Sequence, residues 1–257
     1  LTFYFQDIRT ALEPRFDHIA AADFTQRQIN AFADYFGDDQ KHFIHVDQLF
    51  EMWLHSLIHL WSVRAFHNLS ESSTDSFNSL FGWALDVRDD PNSHEIVRED
   101  MLHVFAKFPE AMQIAHQLTI ASMVFIICHE LAHHELEHLG RDTSHALEYE
   151  ADRRGYDLMR EIYAYPGTMT TITRPPYGMV GPWVVMRILD LSERRQAQCR
   201  GRKERRRLAS HPLASDRLER LQPLLKQEGN SEVDDFIDGY GIAYTDIIQD
   251  LHLTEIK

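Results

Sequence analysis

Residues 128–140 read CHELAHHELEHLG and carry a dense cluster of side chains that can bind a metal ion. The five-residue pattern His-Glu-x-x-His occurs there twice, from His129 to His133 and from His134 to His138. On a helix, histidines at i and i+4 project from one face and can hold zinc, while the Glu after the first His can serve as general base. The two pairs cannot face one ion, because His134 lies about 140° further around the helix than His129.

A catalytic zinc site needs a third protein ligand, and the next predicted helix carries two candidates. Glu148 and Asp152 have the i, i+4 spacing that places two carboxylates on one helical face. A glycine ends the first helix and a serine caps the second, so the two helices are expected to run antiparallel through a short turn. The helical rise places His133 about 10 Å and Glu148 about 6 Å from this turn, although His134 would be about as well placed.

Two further features favour the first copy of the motif. Leu131 and Ala132 stand between its histidines and suit burial, whereas Glu137 in the second copy would need a partner if it were buried. The first copy also follows directly from the apolar run 118–128, which we interpret as a buried core helix. That run is about half of the roughly 20 residues that a membrane span needs.

We therefore predict that His129 and His133 hold a zinc ion and that Glu130 is the general base. His134 and His138 are interpreted as polar residues on another part of the same helix, outside the zinc site. One zinc ion per chain is expected, because the sequence offers one complete set of three protein ligands plus water.

The elements that position these residues are expected to be mainly helical, because apolar residues recur at three- and four-residue spacing in most segments. The Thr-rich part of 165–182 could form a short strand or an active-site loop, so at most a small β element is predicted. Helices are predicted over 24–36, 46–68, 94–107, 110–139, 144–164, 180–199, 213–228 and 231–250.

Length and composition indicate one ordinary globular domain. The chain has 257 residues, of which 44% are hydrophobic and 26% charged. We predict a single domain over 1–257, with a helical N-terminal part of unknown role to residue 110, a zinc-binding catalytic core over 111–228 and a C-terminal helix over 229–257. The two cysteines lack the C-x-x-C spacing of a thiolate zinc site and favour a reducing cytoplasm.

The charge is unevenly distributed. The net charge is −14, yet the stretch 194–207 holds eight basic residues and one acidic residue. A broad nucleic-acid surface is therefore not expected. The simplest interpretation of the basic stretch is a solvated helix end and loop, and the alternatives are a binding site for an acidic partner or a regulatory cleavage site.

Three segments, HELAH, EYEADRRG and HPLASDRLERL, occur in an order that resembles gluzincin metallopeptidases of the HtpX and CAAX-prenyl-endopeptidase type. In that group, HExxH is followed by ExxAD and then by HP and an Arg. The very short interval between the first two segments resembles Lit-type phage-exclusion peptidases more closely. ImmA/IrrE regulators share the short interval. The resemblance spans residues 125–221.

By this resemblance, His129, His133 and Glu148 bind zinc, Glu130 is the general base, and Asp152 orients a ligand histidine. The implied fold is a zincin-like helical metalloprotease domain without the membrane helices of the HtpX group. The implied activity is that of a zinc-dependent endopeptidase, in which zinc lowers the pKa of bound water toward ~7 and the general base takes its proton.

The downstream element of the resemblance contributes His211 and Arg217, which are expected to approach the active site. Either of these residues, or Tyr177, could stabilise the oxyanion. A protein or peptide is the expected substrate, and the Lit-type likeness suggests a role in phage defence. The alternative is a zinc-binding regulatory or partner-binding module, ImmA/IrrE-like or a pseudo-protease, without general proteolytic activity.

Overall fold

The computed structural model shows a mainly helical protein with a small sheet, as the sequence predicts. The structure describes residues 2–12, 14–24, 31–36, 41–67, 69–87, 94–141, 144–165, 177–200, 212–226 and 231–253. Within these residues the helices are α1 (Thr2–Leu12), α2 (Gln48–Phe66), α3 (Glu71–Asp86), α4 (His94–Lys107), α5 (Pro109–Glu135), α6 (His145–Ala164), α7 (Gly181–Arg200), α8 (Ala214–Lys226) and α9 (Ser231–Asp250).

The sheet has three strands, β1 (Ile19–Phe24), β2 (Ala31–Phe36) and β3 (Lys41–Asp47). β3 lies in the centre, parallel to β1 and antiparallel to β2, so β2 forms one edge. Ile44 and Val46 alternate along β3 and are buried, which gives the sheet one core-facing side. β2 contacts α5, and this contact brings the edge strand to the His-rich helix.

The sheet occupies a segment for which the apolar spacing wrongly predicts a helix over 24–36. Residues 31–36 instead pair with β3, with Ala31 opposite Val46. The β3 partner supplies backbone hydrogen bonds that local spacing does not reveal, and tertiary context overrides a weak helical pattern. The N-terminal 110 residues therefore contain a sheet as well as helices, of which α1 and α3 were not predicted. The other predicted helices correspond to α2 and α4–α9, and residues 166–176 of the Thr-rich stretch lie outside the described residues.

Helix α5 is the centre of the fold. It begins with Pro109 at its first turn, and every residue from Leu118 to Ala132 is buried. It contacts α2, α6, α7 and β2. By length and composition α5 could cross a membrane, but 72% of its most apolar window is buried inside the protein, as in a core helix.

Two glycines allow α6 and α7 to approach the backbone of α5. A Cβ atom on Gly155 of α6 would lie 2.9 Å from the N and Cα atoms of His129. A Cβ atom on Gly181, at the start of α7, would lie 2.4 Å from the carbonyl oxygen of Ala121. Backbone atoms cannot move aside as a flexible side chain can, so both positions require glycine. The close approach of α6 therefore fixes the position of Glu148 and Asp152 along the axis of α5.

Gly155→Ala is expected to destabilise the protein by about 1–3 kcal/mol, because the added methyl group forces two packed helices apart. Gly239→Ala in α9 is the matched control, since nothing lies within 4 Å of a Cβ atom there. That change should be neutral or stabilising by up to ~1 kcal/mol. Urea unfolding of both variants measures the difference, and equal stabilities would contradict the proposed close approach.

Candidate active site

Three side chains predicted to bind a metal converge between α5 and α6. His129 and His133 lie one turn apart on α5, and Glu148 lies in the first turn of α6. Their ligand atoms all lie within 4.8 Å of one another, the only such group among the described residues. The two Nε2 atoms are 3.1 Å apart, and they lie 3.5 Å and 3.7 Å from the two carboxylate oxygens of Glu148. These residues could hold one metal ion.

The α6 helix is oriented by its own sequence. The Ser144 side chain accepts a hydrogen bond from the Leu147 N–H at 3.4 Å and caps the N-terminus of α6. Glu148 and Asp152 then project from one face, one turn apart, as their spacing predicts. Gly155, one turn further, contacts α5 at His129.

Behind the three residues lies a buried ion pair. Asp152 Oδ1 is 3.0 Å from His129 Nδ1, so Asp152 faces the ring nitrogen opposite the candidate metal site. Arg217 of α8 is largely buried and donates two hydrogen bonds to the Asp152 carboxylate, at 2.8 Å and 2.6 Å. Its Nη1 atom lies 3.8 Å from Glu148 Oε2. The structure thus places Arg217 next to the three candidate ligands, where it contacts the carboxylates of Asp152 and Glu148.

The protonation states of His133 and Glu148 favour binding of a cation. Burial lowers the pKa of His129, but hydrogen bonds with Asp152 and Glu148 outweigh it and raise the pKa to about 9. Burial raises the pKa of Glu148, but the contact with His129 and the charge of Arg217 lower it to about 2. Burial and the neighbouring His129 lower the pKa of His133 to about 4. A metal ion binding here would meet an ionised carboxylate and a neutral imidazole, and would displace the proton of His129.

Glu130 lies beside this group, on the same helix. It is buried, and burial raises the pKa of its carboxyl group. The backbone N–H of Ala33, on the edge strand β2, hydrogen-bonds to it and acts in the opposite direction. The contact from β2 was not predicted, because residues 24–36 were expected to be helical.

A cavity of about 590 Å³ opens onto these residues. Ala31–Ala33 of the edge strand line the cavity, together with apolar residues of α5 and α7. Glu130, His129, His133 and Glu148 all line it. A substrate in this cavity would reach both the candidate metal ligands and the unligated carboxyl group of Glu130.

His134 begins the second motif copy and faces away from the site. Its Nε2 lies 3.0 Å from the carbonyl oxygen of Phe43, and its Nδ1 lies 2.9 Å from His42 Nδ1, both on β3. Its ring is buried. The interpretation of His134 as one of the polar residues beside the site is therefore wrong, since His134 is buried between α5 and β3.

His138 does not belong to the helix at all. α5 ends at Glu135, four residues before the predicted end, and Leu136 is its C-cap. Glu137 then takes a left-handed backbone conformation, with φ 54°. His138 is consequently not on the same face as His134, and its buried side chain contacts His133 instead. The second copy is a HExxH motif in sequence only.

Some predicted residues take no part in the described site. His211 and residues 201–207 of the basic stretch lie outside the described residues. Arg194 and Arg195 belong to α7 and donate hydrogen bonds to Asp190 and Asp86. Tyr177 packs edge-on against Phe236. Tyr177 also does not line the cavity beside Glu130.

The fold and the site together define a class of protein. The protein is mainly helical, and its central helix α5 and the neighbouring α6 bring two imidazoles and one carboxylate together. The buried Glu130 lies beside them in the same cavity. Residues 62–237 match the family model of Peptidase U49. The match covers more than half of the chain and contains the whole α5–α6 site, and the chain belongs to this family. It is therefore a peptidase, and its substrate is a protein or peptide. No curated protein and no solved structure matches the chain.

Proposed function

We propose that the chain is a zinc-dependent endopeptidase of the gluzincin type, which hydrolyses peptide bonds of a protein substrate. One observation carries the proposal: Glu130 shares a cavity with His129, His133 and Glu148 and is not one of the three clustered ligands. A carboxyl group held beside a metal site is placed to move protons. The family match supports the peptide bond as the target.

The donor set fits zinc. Two imidazole nitrogens and one carboxylate oxygen are a usual protein ligand set for catalytic zinc, which keeps a fourth position open. Zinc–ligand distances near 2.1 Å require ligand atoms about 3.4 Å apart around a tetrahedral ion. The two histidine nitrogens lie 3.1 Å apart, and they lie 3.5 and 3.7 Å from the two different oxygens of Glu148, which is close to this value. When bound, zinc supplies Lewis-acid chemistry, polarising a carbonyl and lowering the pKa of water toward ~7.

Glu130 would act as general base and then as general acid. Burial raises the pKa of its carboxyl group, which makes the carboxylate a stronger base than an exposed Glu. It would take a proton from the attacking water and deliver it to the leaving amine. The Ala33 N–H at the cavity wall lowers the pKa of this carboxyl group, against the larger effect of burial.

Asp152 and Arg217 would position the ligands. Asp152 accepts a hydrogen bond from the Nδ1–H group of His129, which leaves the Nε2 lone pair free for the metal. Arg217 in turn fixes Asp152 through two hydrogen bonds. Because its guanidinium is engaged in this way, we assign Arg217 a positioning role and not that of an oxyanion donor.

The edge strand supports an extended peptide substrate. Among the described residues, β2 pairs with β3 on one side only. An edge strand presents backbone N–H and C=O groups to which an extended chain can add. Ala31–Ala33 lie along the same cavity as the candidate ligands. A peptide paired with β2 would pass directly over the site.

Metal analysis tests the proposal. Purified protein should contain about one zinc ion per chain, and chelation should abolish proteolysis until zinc is returned. His134→Gln is the matched control, since His134 has the same motif position in the second copy but faces β3. This variant should keep its zinc. Loss of zinc from it, two tightly bound zinc ions in the wild type, or proteolysis that persists without metal would each contradict the assignment.

A further inference from the structure

His138 is a buried polar side chain that the proposed chemistry leaves unused. After Glu137 takes its left-handed conformation, the His138 N–H donates to the carbonyl oxygen of His133 at 2.9 Å. This turn folds the chain back over the end of α5. The His138 ring therefore lies edge-on to the His133 ring, with 3% of its side chain exposed.

The two ring nitrogens of His133 face different surroundings. Nε2 lies 3.1 Å from His129 Nε2 and 3.7 Å from Glu148 Oε1, within the candidate metal site. Nδ1 lies 3.1 Å from His138 Nδ1. A neutral imidazole that binds a metal through Nε2 carries its proton on Nδ1. His138 Nδ1 is at the right distance to accept a hydrogen bond from this Nδ1–H group.

The same reasoning extends one residue further. If His138 accepts at Nδ1, a neutral His138 carries its own proton on Nε2. That nitrogen lies 3.3 Å from Glu150 Oε2. Hydrogen bonds thus run in one direction, from His133 through His138 to Glu150, and every donor meets an acceptor. The opposite tautomer of His133 would place a proton in the metal site.

We infer that His138 is a positioning residue, which fixes the tautomer and ring orientation of His133 and is itself held by Glu150. The inference rests on the proposed function, because it takes His133 as a zinc ligand through Nε2. Asp152 plays the corresponding role for His129. The two ligand histidines are thus oriented by different groups, one by a carboxylate and one by an imidazole.

The expected effects on zinc affinity differ between substitutions of His138 and of Glu150. Partners that orient a metal-bound histidine change metal affinity by about 10- to 100-fold. His138 is buried and should fall in this range. Glu150 has 62% of its side chain exposed, so solvent competes for its hydrogen bond. Its removal in Glu150→Ala should weaken zinc binding only about two- to fivefold.

Two amide variants test the inference without removing the polarity of the side chain. In His138→Asn the polar atoms stand at the position of Nδ1, so the side chain can still accept from His133. In His138→Gln they stand one bond further out, at the position of Nε2. We expect zinc affinity, measured by chelator competition, to stay within about fivefold of wild type for Asn and to fall about 10- to 100-fold for Gln.

Two further readouts separate positioning from a general structural effect. The absorption spectrum of the cobalt-substituted protein should change for His138→Gln, and unfolding of the metal-free protein should be similar for both amide variants. Wild-type zinc affinity and spectrum in His138→Gln, or equal losses in both variants, would overturn the inference. A wild-type protein that binds no zinc would instead refute the proposed function, so the two failures can be told apart.

Discussion

Glu130→Gln is expected to lower the rate of proteolysis at least about a hundredfold while zinc remains bound and the fold is unchanged. The glutamine side chain keeps the size of Glu130 and can still accept the hydrogen bond from the Ala33 N–H. It cannot accept a proton from water at neutral pH. Because Glu130 is not among the three clustered ligands, metal affinity should be nearly unaffected.

Glu135→Gln is a matched control, because Glu135 follows the first His of the second motif copy. Its carboxylate bonds to Arg154, at 2.5 Å and 2.9 Å, and lies outside the cavity lining. This variant should retain activity. Identification of new protein N-termini in cells that express each form would measure cleavage of any cellular protein, whichever one is the substrate.

The same pair of variants distinguishes an enzyme from a zinc-binding partner module. A module would act by binding, and would keep its effect in a zinc-loaded Glu130→Gln protein. An endopeptidase would lose both the new N-termini and any toxicity that depends on cleavage. Unimpaired proteolysis by Glu130→Gln would remove Glu130 from the mechanism, whatever the metal content.

Glu148→Ala is expected to weaken zinc binding by more than the roughly 100-fold that marks the loss of an outer partner, because it deletes a direct ligand. The remaining imidazoles of His129 and His133 offer two ligands in place of three. Chelator competition and metal analysis measure the change. A smaller effect for Glu148→Ala than for Glu150→Ala would show that the ligand assignment on α6 is wrong.

Asp152→Asn provides the comparison for an orienting residue. It should lower zinc affinity about 10- to 100-fold, less than Glu148→Ala. Asparagine is preferable to alanine here, because its amide oxygen can still accept one of the two hydrogen bonds that Arg217 donates to Asp152. Alanine would remove both hydrogen bonds that this largely buried guanidinium donates, leave only the longer contact with Glu148, and destabilise the fold by about 3–5 kcal/mol. Unfolding of the metal-free protein should confirm that the Asn variant is folded.

Local spacing in the sequence predicted the parts of the site that lie on single helices. Residues four apart share a face because a helix turns once every 3.6 residues. This places His129 beside His133, and Glu148 beside Asp152, without reference to the rest of the chain. The short connection and the capping Ser144 then bring α5 and α6 together. Spacing was therefore enough to name His129, His133 and two candidate carboxylates, and the family resemblance singled out Glu148 as the third ligand.

Only the tertiary structure decided which residues from distant parts of the sequence contact α5 and α6. Ala33 reaches Glu130 because β2 pairs with β3 and packs on α5, a non-local arrangement that the apolar spacing of residues 24–36 does not indicate. Arg217 pairs with Asp152 across 65 residues. Such contacts depend on the packing of whole elements, which periodicity within one element does not specify.

The tandem motif shows, within one segment, what the sequence determined and what only the tertiary structure decided. The sequence determined that residues 128–140 carry two copies with equal helical spacing, and spacing gave no reason for the helix to stop between them. The structure ends α5 at Glu135 and turns the chain at Glu137, so that His134 packs on β3 while His138 returns to His133. The cause is physical: helical geometry is set by neighbouring residues, whereas a helix end is set by the contacts that satisfy its last carbonyl groups.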